Sequence, residues 1–161
     1  MKTELKRPNI VPAGTRIALI VSRWNDSYTS RLESGAREAL GDADVQTFIV
    51  PGAFELPLAA KSAAETGRFD AVVALGVVIR GDTPHFDYVA GQAASGLMQA
   101  SLDTGVPVMF GVITADTPEQ AGARCGVRED NKGYEAALSA VEMVAAIREI
   151  RGERKALPNV A

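Results

Sequence analysis

Four alternations of a strand pattern with a helix pattern predict an α/β protein, a three-layer α/β/α sandwich around a four-stranded parallel sheet. Two further observations point the same way. The run Ala71-Val72-Val73-Ala74-Leu75-Gly76-Val77-Val78-Ile79 is apolar throughout, as a strand covered on both faces must be. Gly41, Gly67 and Gly105 fall where a preceding helix has to stop.

The elements follow in order. Ile17 to Ser22 reads as the first strand and Ser27 to Leu40 as the first helix. Val45 to Val50 is the second strand, followed by a helix from about Phe54 to Thr66. The third strand is Ala71 to Ile79, and its helix runs from Pro84 to about Asp103 with Thr83 as N-cap and proline at the first helical position. Val106 to Ile113 is the fourth strand. Thr117-Pro118-Glu119-Gln120 is a capping box that opens a short helix, and a final long helix spans about Lys132 to Arg151.

No repeat, low-complexity segment or linker interrupts the 161 residues, so a single domain spans 1–161, with 1–14 as an N-terminal arm and 153–161 as a C-terminal tail. A chain of this size buries enough surface to fold without staples. The net charge of −3, with no basic stripe, argues against nucleic-acid binding. The single cysteine, Cys125, excludes an internal disulfide and a cysteine-cluster metal site. Met1 to Pro8 lacks the apolar core of a signal peptide, and no apolar stretch is long enough to span a bilayer. The expectation is a soluble, cytoplasmic, reduced protein with no membrane partner.

Two helices are unusual for a monomer. The third carries Ala90, Gly91, Ala93, Ala94, Ser95, Gly96 and Ala100, and glycine inside a helix costs about 1 kcal/mol relative to alanine, so close approach by another backbone is expected. The last is apolar over a wide arc from Ala136 to Ile147. Burial within the subunit would explain both. Subunit contacts are the expectation here.

In a parallel sheet, ligands bind beyond the carboxyl ends of the strands. The loops there are Arg23-Trp24-Asn25-Asp26, Pro51-Gly52-Ala53-Phe54-Glu55-Leu56-Pro57, Arg80-Gly81-Asp82-Thr83-Pro84-His85 and Thr114-Ala115-Asp116. The only histidine and the only tryptophan both fall in this set. His85 lies in the first turn of a helix, among unpaired N–H groups that favour an anion. An imidazole beside an anion site points to acid/base chemistry on an anionic or phosphorylated substrate. Trp24 is either a lid over local apolar surface or a plate for a flat ring, with Asn25 able to reach that ring's edge. Glu55 is stabilised by the helix dipole whatever else it does, and Gly52 either admits a ligand or makes the turn.

Other motifs fail. Gly76 to Thr83 has P-loop spacing, but Asp82 stands in place of the lysine and strand residues fill the loop. A Gly-x-Gly-x-x-Gly after a strand and a Gly-x-Ser-x-Gly elbow are both absent. A catalytic zinc would need mostly carboxylate ligands, which is unusual, so no metal is expected.

Taken together, Ser22-Arg23-Trp24-Asn25, Val50-Pro51-Gly52-Ala53-Phe54-Glu55-Leu56-Pro57, Ala74-Leu75-Gly76-Val77-Val78-Ile79-Arg80-Gly81 with Thr83 and His85-Phe86, Phe110-Gly111-Val112-Ile113-Thr114 and Asn131-Lys132-Gly133 resemble the 6,7-dimethyl-8-ribityllumazine synthase family, in family order from about Ile17 to Arg151. The resemblance implies a flavodoxin-like topology. It also implies the condensation of 5-amino-6-(ribitylamino)uracil with 3,4-dihydroxy-2-butanone 4-phosphate, releasing phosphate and water, in riboflavin biosynthesis, with no cofactor. By position, Trp24 would stack on the pyrimidine and Asn25 would assist there. Ala53, Phe54 and Glu55 would meet the ribityl chain, and Val78 and Ile79 would offer backbone groups to the ring edge. Gly81, Asp82 and Thr83 would donate backbone N–H groups to the phosphate, and Arg124 would pair with it. His85 would shuttle protons, Phe110 would be lent by a neighbouring subunit, and Lys132 matches a position near the site. The resemblance further implies a homopentamer, with Pro8-Asn9-Ile10-Val11-Pro12 adding a strand to an adjacent sheet, and leaves open whether the pentamer stands alone, pairs into a decamer or closes with eleven others into a 60-subunit cage. Asp130 stands where cage-forming members commonly carry glycine, at a turn expected to need positive φ. Two other readings are an archaeal-type riboflavin synthase, which shares the fold, and a flavin-binding electron carrier, which would need a Ser/Thr-rich loop after the first strand.

Overall fold

The structure, a computed structural model, describes residues 11–153. The expectations for Pro8, Asn9, Ile10 and the tail beyond 153 lie outside the described residues. Four strands, β1 Arg16–Ser22, β2 Asp44–Val50, β3 Ala71–Ile79 and β4 Val108–Ala115, form one parallel sheet in the order β2-β1-β3-β4. Five α-helices accompany it: α1 Asp26–Leu40, α2 Leu56–Glu65, α3 His85–Thr104, α4 Pro118–Ala123 and α5 Lys132–Ile150.

Residues alternate across the sheet and so feed two cores. Ile17, Leu19 and Val21 of β1, with Val73 and Leu75 of β3, meet Leu32, Ala36 and Leu40 of α1 and Ala137, Ala140 and Val141 of α5. Ala18 and Ile20, with Val72 and Ala74, meet Leu56 and Ala60 of α2 and Ala93, Leu97 and Ala100 of α3. This is the expected three-layer sandwich. Both central strands are buried on both faces, which is why β3 reads as one apolar run. Replacing a fully buried residue such as Leu19 or Leu75 by alanine costs about 2–5 kcal/mol.

Three features depart from the sequence reading by more than a single residue. The second helix is split: Ala53–Glu55 forms a 3₁₀ turn and α2 begins only at Leu56. Pro57 explains the break, since a proline fits in the first turn of a helix but not in its interior. The fourth strand lies two residues later than expected. Pro107 has no N–H to donate and serves as acceptor for Val72 N–H, while Thr114 and Ala115 pair with Val78 and Ile79. A second 3₁₀ turn, Arg128–Asp130, precedes α5, where the sequence reading has no element.

Much of the wide apolar arc of α5 is taken up inside the chain, but Leu138, Ala145 and Ile147 are only half-buried and Met143 is exposed. Ala136, Ala137, Ala140, Val141 and Val144 are buried, and a Cβ on Gly133 would strike the Leu32 carbonyl of α1. The stripe of small residues on α3 divides. Gly96 is explained locally, since a Cβ there would lie 2.7 Å from Pro57, whereas Gly91 has open space around it. The face of α3 away from the core leaves Tyr88, Met98 and Leu102 exposed. Cys125 is buried, which pushes its thiol pKa up and fits a packing role.

Candidate active site

The strand order fixes where a ligand can enter. The chain winds from β1 outward to β2, then crosses back to β3 on the other side of β1, so the connections leaving β1 and β3 diverge. Pairing of β1 with β3 ends at Val21 and Leu75, yet β3 continues to Ile79. The carboxyl ends of these two strands therefore open a crevice, bordered by the Arg23-Trp24-Asn25 loop on one side and by Gly76 to His85 on the other.

Backbone bonds draw the first two loops together. Arg23 N–H donates to Val50 O at 2.8 Å and Trp24 N–H to Pro51 O at 3.0 Å. The indole then lies on Gly52, where a Cβ would come within 2.5 Å of Trp24 Cε3. The φ of Gly52 is −144°, so the glycine is required by the indole and not by a special turn. Trp24 nevertheless remains 60% exposed. Nothing among the described residues seals the indole, which lies on Gly52 and is otherwise open.

Asn25 has left-handed backbone geometry, φ 62° and ψ 43°, and caps α1. Its Nδ2 donates to Val77 O at 2.9 Å, fastening the loop after β1 to the end of β3. The amide expected to assist at a substrate ring is thus first a strut of the crevice. Ala53 is buried and Phe54 exposed; Glu55 is half-buried, with Oε2 accepting from Gly52 N–H at 3.0 Å. Val78 and Ile79 are half-buried where β3 outlasts β1. Ser22, the last residue of β1, was not singled out by the sequence. Its Oγ is the one buried side-chain polar atom among the described residues without a hydrogen-bond partner, and a Cβ on Gly76 would lie 3.1 Å from it.

His85 is the first residue of α3, and Gly81, Asp82, Thr83 and His85 are all exposed. The helix starts one residue later than expected. Pro84, with ψ 4°, stands at the N-cap, and Thr83 Oγ1 accepts from His85 N–H at a long 3.4 Å. Arg80, which the sequence reading left without a role, closes β3: its Nε donates to Asp116 Oδ1 at 2.9 Å, and its Nη1 to Asp87 Oδ1 at 3.3 Å. The hydrogen bond to Asp116 leads the causes that raise the Arg80 pKa, so this guanidinium is charged at every working pH. The capping box of α4 is only half formed. Gln120 N–H donates to Thr117 Oγ1 at 3.2 Å, but Gln120 Oε1 accepts from Asp116 N–H at 2.8 Å instead of from the N-cap, which fixes the Asp116 backbone.

Phe110, Arg124 and Lys132 form a second group. They line a cavity of about 450 Å³ beside the edge strand β4, together with Thr114, Asp130 and Glu135. Lys132 N–H donates to Arg124 O at 2.8 Å, and Lys132 Nζ lies 3.7 Å from Glu135 Oε1. No residue of the histidine loop and no part of Trp24 lines this cavity. Asn131 holds the group in place: buried, it donates through Nδ2 to Arg31 O and Gly126 O and accepts from Tyr134 N–H, all at 3.0 Å. Asp130 does not adopt positive φ. That geometry belongs to Arg128, at φ 49°, so the expected need for glycine at 130 does not arise. A smaller cavity of about 200 Å³, lined by Asp70, Pro107 and Arg148, lies near the amino ends of the strands, away from this chemistry.

A family model described as 6,7-dimethyl-8-ribityllumazine synthase matches residues 14–148. A 6,7-dimethyl-8-ribityllumazine synthase of Syntrophus aciditrophicus (strain SB) is 51% identical over 146 residues, covering 88% of this chain and 95% of the relative. Proteins of the same name from two Thermus thermophilus strains are 54% identical over 149 residues, covering 89% of this chain and 95% of each relative.

Proposed function

The chain belongs to the 6,7-dimethyl-8-ribityllumazine synthase family, and from that premise we infer how its residues divide the work. It is a transferase that condenses 5-amino-6-(ribitylamino)uracil with 3,4-dihydroxy-2-butanone 4-phosphate to 6,7-dimethyl-8-ribityllumazine, a step of riboflavin biosynthesis. Neither the riboflavin synthase nor the electron-carrier alternative draws support from the relatives. The site assignment is supported by the strand order: the loop after β1, with its exposed indole, and the loop after β3, with a helix N-terminus and the only histidine of the chain, both leave the carboxyl ends of neighbouring strands.

In this reading the pyrimidine lies on Trp24 and its ribityl chain runs past Ala53, Phe54 and Glu55. Backbone groups of Val78 and Ile79 meet the ring edge. The phosphate sits at the start of α3, on N–H groups of Gly81, Asp82 and Thr83. The uracil amine attacks the ketone carbon, and loss of water leaves an imine. Removal of a carbon-bound proton expels phosphate. Phosphate loss leaves an enol, and a proton returned to its terminal carbon converts it to a new ketone; the second nitrogen attacks that carbonyl, and a second water leaves as the ring closes. His85, exposed at the crevice, receives and returns these protons, a contribution of about 10²- to 10⁴-fold. Holding two reactants in register supplies much of the rest. No cofactor enters this scheme.

The second group makes the site a shared one. Phe110, Arg124 and Lys132 occupy a cavity of their own, so if Phe110 is lent by a neighbour, Arg124 and Lys132 arrive with it and place a guanidinium against the phosphate. The exposed Tyr88, Met98 and Leu102 of α3 support packing of this helix between copies in a homopentamer, and Asp130 places no backbone obstacle before the 60-subunit cage. Among the described residues, no helix is long and apolar enough to cross a membrane, and a cytoplasmic location remains part of this reading.

Mixing the two substrates and following phosphate release together with lumazine absorbance tests the activity. Product from both substrates and from neither alone is expected. Riboflavin formed from the lumazine alone would favour the riboflavin synthase instead. Light scattering on the purified protein reads the assembly, and an active monomer would refute the shared site.

A further inference from the structure

We propose that Arg80 is a positioning residue for the phosphate loop: by neutralising Asp87 and Asp116 and tying them together, it holds Gly81 to His85 ready for a phosphorylated substrate. The proposal rests on the catalytic reading above. Its basis is three contacts of one guanidinium. Nε bonds Asp116 in the loop after β4, Nη1 bonds Asp87 in the first turn of α3, and Cζ lies 4.3 Å over the Phe86 ring. The backbone is fixed too, since Arg80 N–H donates to Ala115 O at 2.8 Å. Residues 81–85 are thus clasped at both ends, by Arg80 where they leave β3 and by its contacts to Phe86 and Asp87 immediately after His85.

Electrostatics give the clasp its purpose. Asp82 and Asp116 lie in loops near this helix start and Asp87 in its first turn, and a phosphate brings further negative charge. Left uncompensated, Asp87 and Asp116 would repel the anion that the N–H groups are meant to attract. Arg80 offsets that repulsion while its Nε and Nη1 donors are engaged by the two carboxylates. Stability is not a sufficient reason for the arrangement. Arg80, Asp87 and Asp116 have side chains 43%, 60% and 65% exposed, and pairs this open contribute little to folding.

Arg80→Ala tests this in the full-length protein. The KM for the butanone phosphate and the inhibition constant for inorganic phosphate should both rise, on the order of tenfold, while the KM for the uracil stays within about twofold. The melting temperature should fall by no more than about 3 °C. Arg80→Lys should recover part of the loss, since it restores charge but neither the fork nor the stacking. Adding Asp116→Asn to Arg80→Ala should also recover phosphate affinity, which a merely structural arginine would not allow. Equal losses for both substrates, or no recovery on removing the Asp116 charge, would overturn the proposal. Failure of the wild-type protein to make the lumazine would instead count against the catalytic reading. Titration with inorganic phosphate alone, comparing wild type with Arg80→Ala, still decides the role of Arg80 in that case.

Discussion

Replacing Asn25 by glycine and by alanine separates the two jobs that the structure gives this residue. Asn25 occupies left-handed backbone space, and its Nδ2 holds Val77 O at 2.9 Å. Both variants lose that hydrogen bond, worth about 0.5–1.5 kcal/mol net. Alanine additionally bears a left-handed conformation that costs about 1–2 kcal/mol for an ordinary L-residue, whereas glycine adopts it freely. Asn25→Ala should therefore destabilise by about 2–3 kcal/mol and Asn25→Gly by about 1 kcal/mol. For a chain of this length these become falls in melting temperature of about 5–10 °C and 2–4 °C. All three proteins must be compared at one protein concentration, because assembly shifts the midpoint by mass action. Below their melting points, both variants should weaken uracil binding, since the Trp24 loop is no longer tied to the end of β3. An alanine variant as stable as the glycine variant would show that the backbone of residue 25 is not strained as described, and the strut would lose half its argument.

Other substitutions read the site directly. His85→Ala should fold normally and lose about 10- to 10³-fold in turnover, since proximity of the reactants survives, and wild-type turnover would end the proton-shuttle assignment. Trp24→Ala should weaken the uracil and flavin-like ligands with little change in stability, because the indole is more than half exposed; the opposite pattern would restore the lid reading. Arg124→Ala should raise the KM for the butanone phosphate by about 10- to 100-fold and leave that of the uracil nearly unchanged, the loss of one charge-assisted contact, and equal losses would assign Arg124 to the interface or the fold instead.

What could be read from the sequence was what local chemistry decides. The apolar run of β3 needs cover on both faces, and the proline and histidine after it mark a helix start, so the fold class and the position of His85 could be inferred from neighbouring residues alone. The errors arose where a distant partner decides. β4 extends to Ala115 because β3 offers Ile79 beside it, and no local signal at 114–115 says so. Asn25 spends its amide on a carbonyl 52 residues away, and Arg80 meets Asp116 36 residues on. Only the strand order brings these pairs together. Asp87 was the available clue to the Arg80 clasp, an acidic residue in the first turn of α3 just after the loop. The turn at Arg128 defeats propensity altogether, since arginine carries no signal for positive φ.

The separation of the site residues into two groups has a consequence that a mixing experiment can reach. If each site takes His85 from one subunit and Arg124 from the next, neither His85→Ala nor Arg124→Ala can build an intact site alone, but a mixed assembly can. In a random one-to-one mixture, half of the subunits supply an intact histidine and half an intact arginine. About one quarter of the interfaces then join two intact halves. Assayed with the butanone phosphate well below its wild-type KM, where both parents are slow, co-assembled variants should therefore regain roughly a quarter of the wild-type rate, above the mean of the two parents. The gain should vanish when the purified variants are mixed under conditions where subunits do not exchange. It should also vanish for a pair of variants in the same group, such as Trp24→Ala with His85→Ala, because no interface can then restore both residues. If the mixture of His85→Ala with Arg124→Ala gives only the parental mean despite demonstrated co-assembly, both residues act within one chain. The cavity beside β4 would then have to be brought to the histidine loop by a movement of α4 and the start of α5, not by a neighbour.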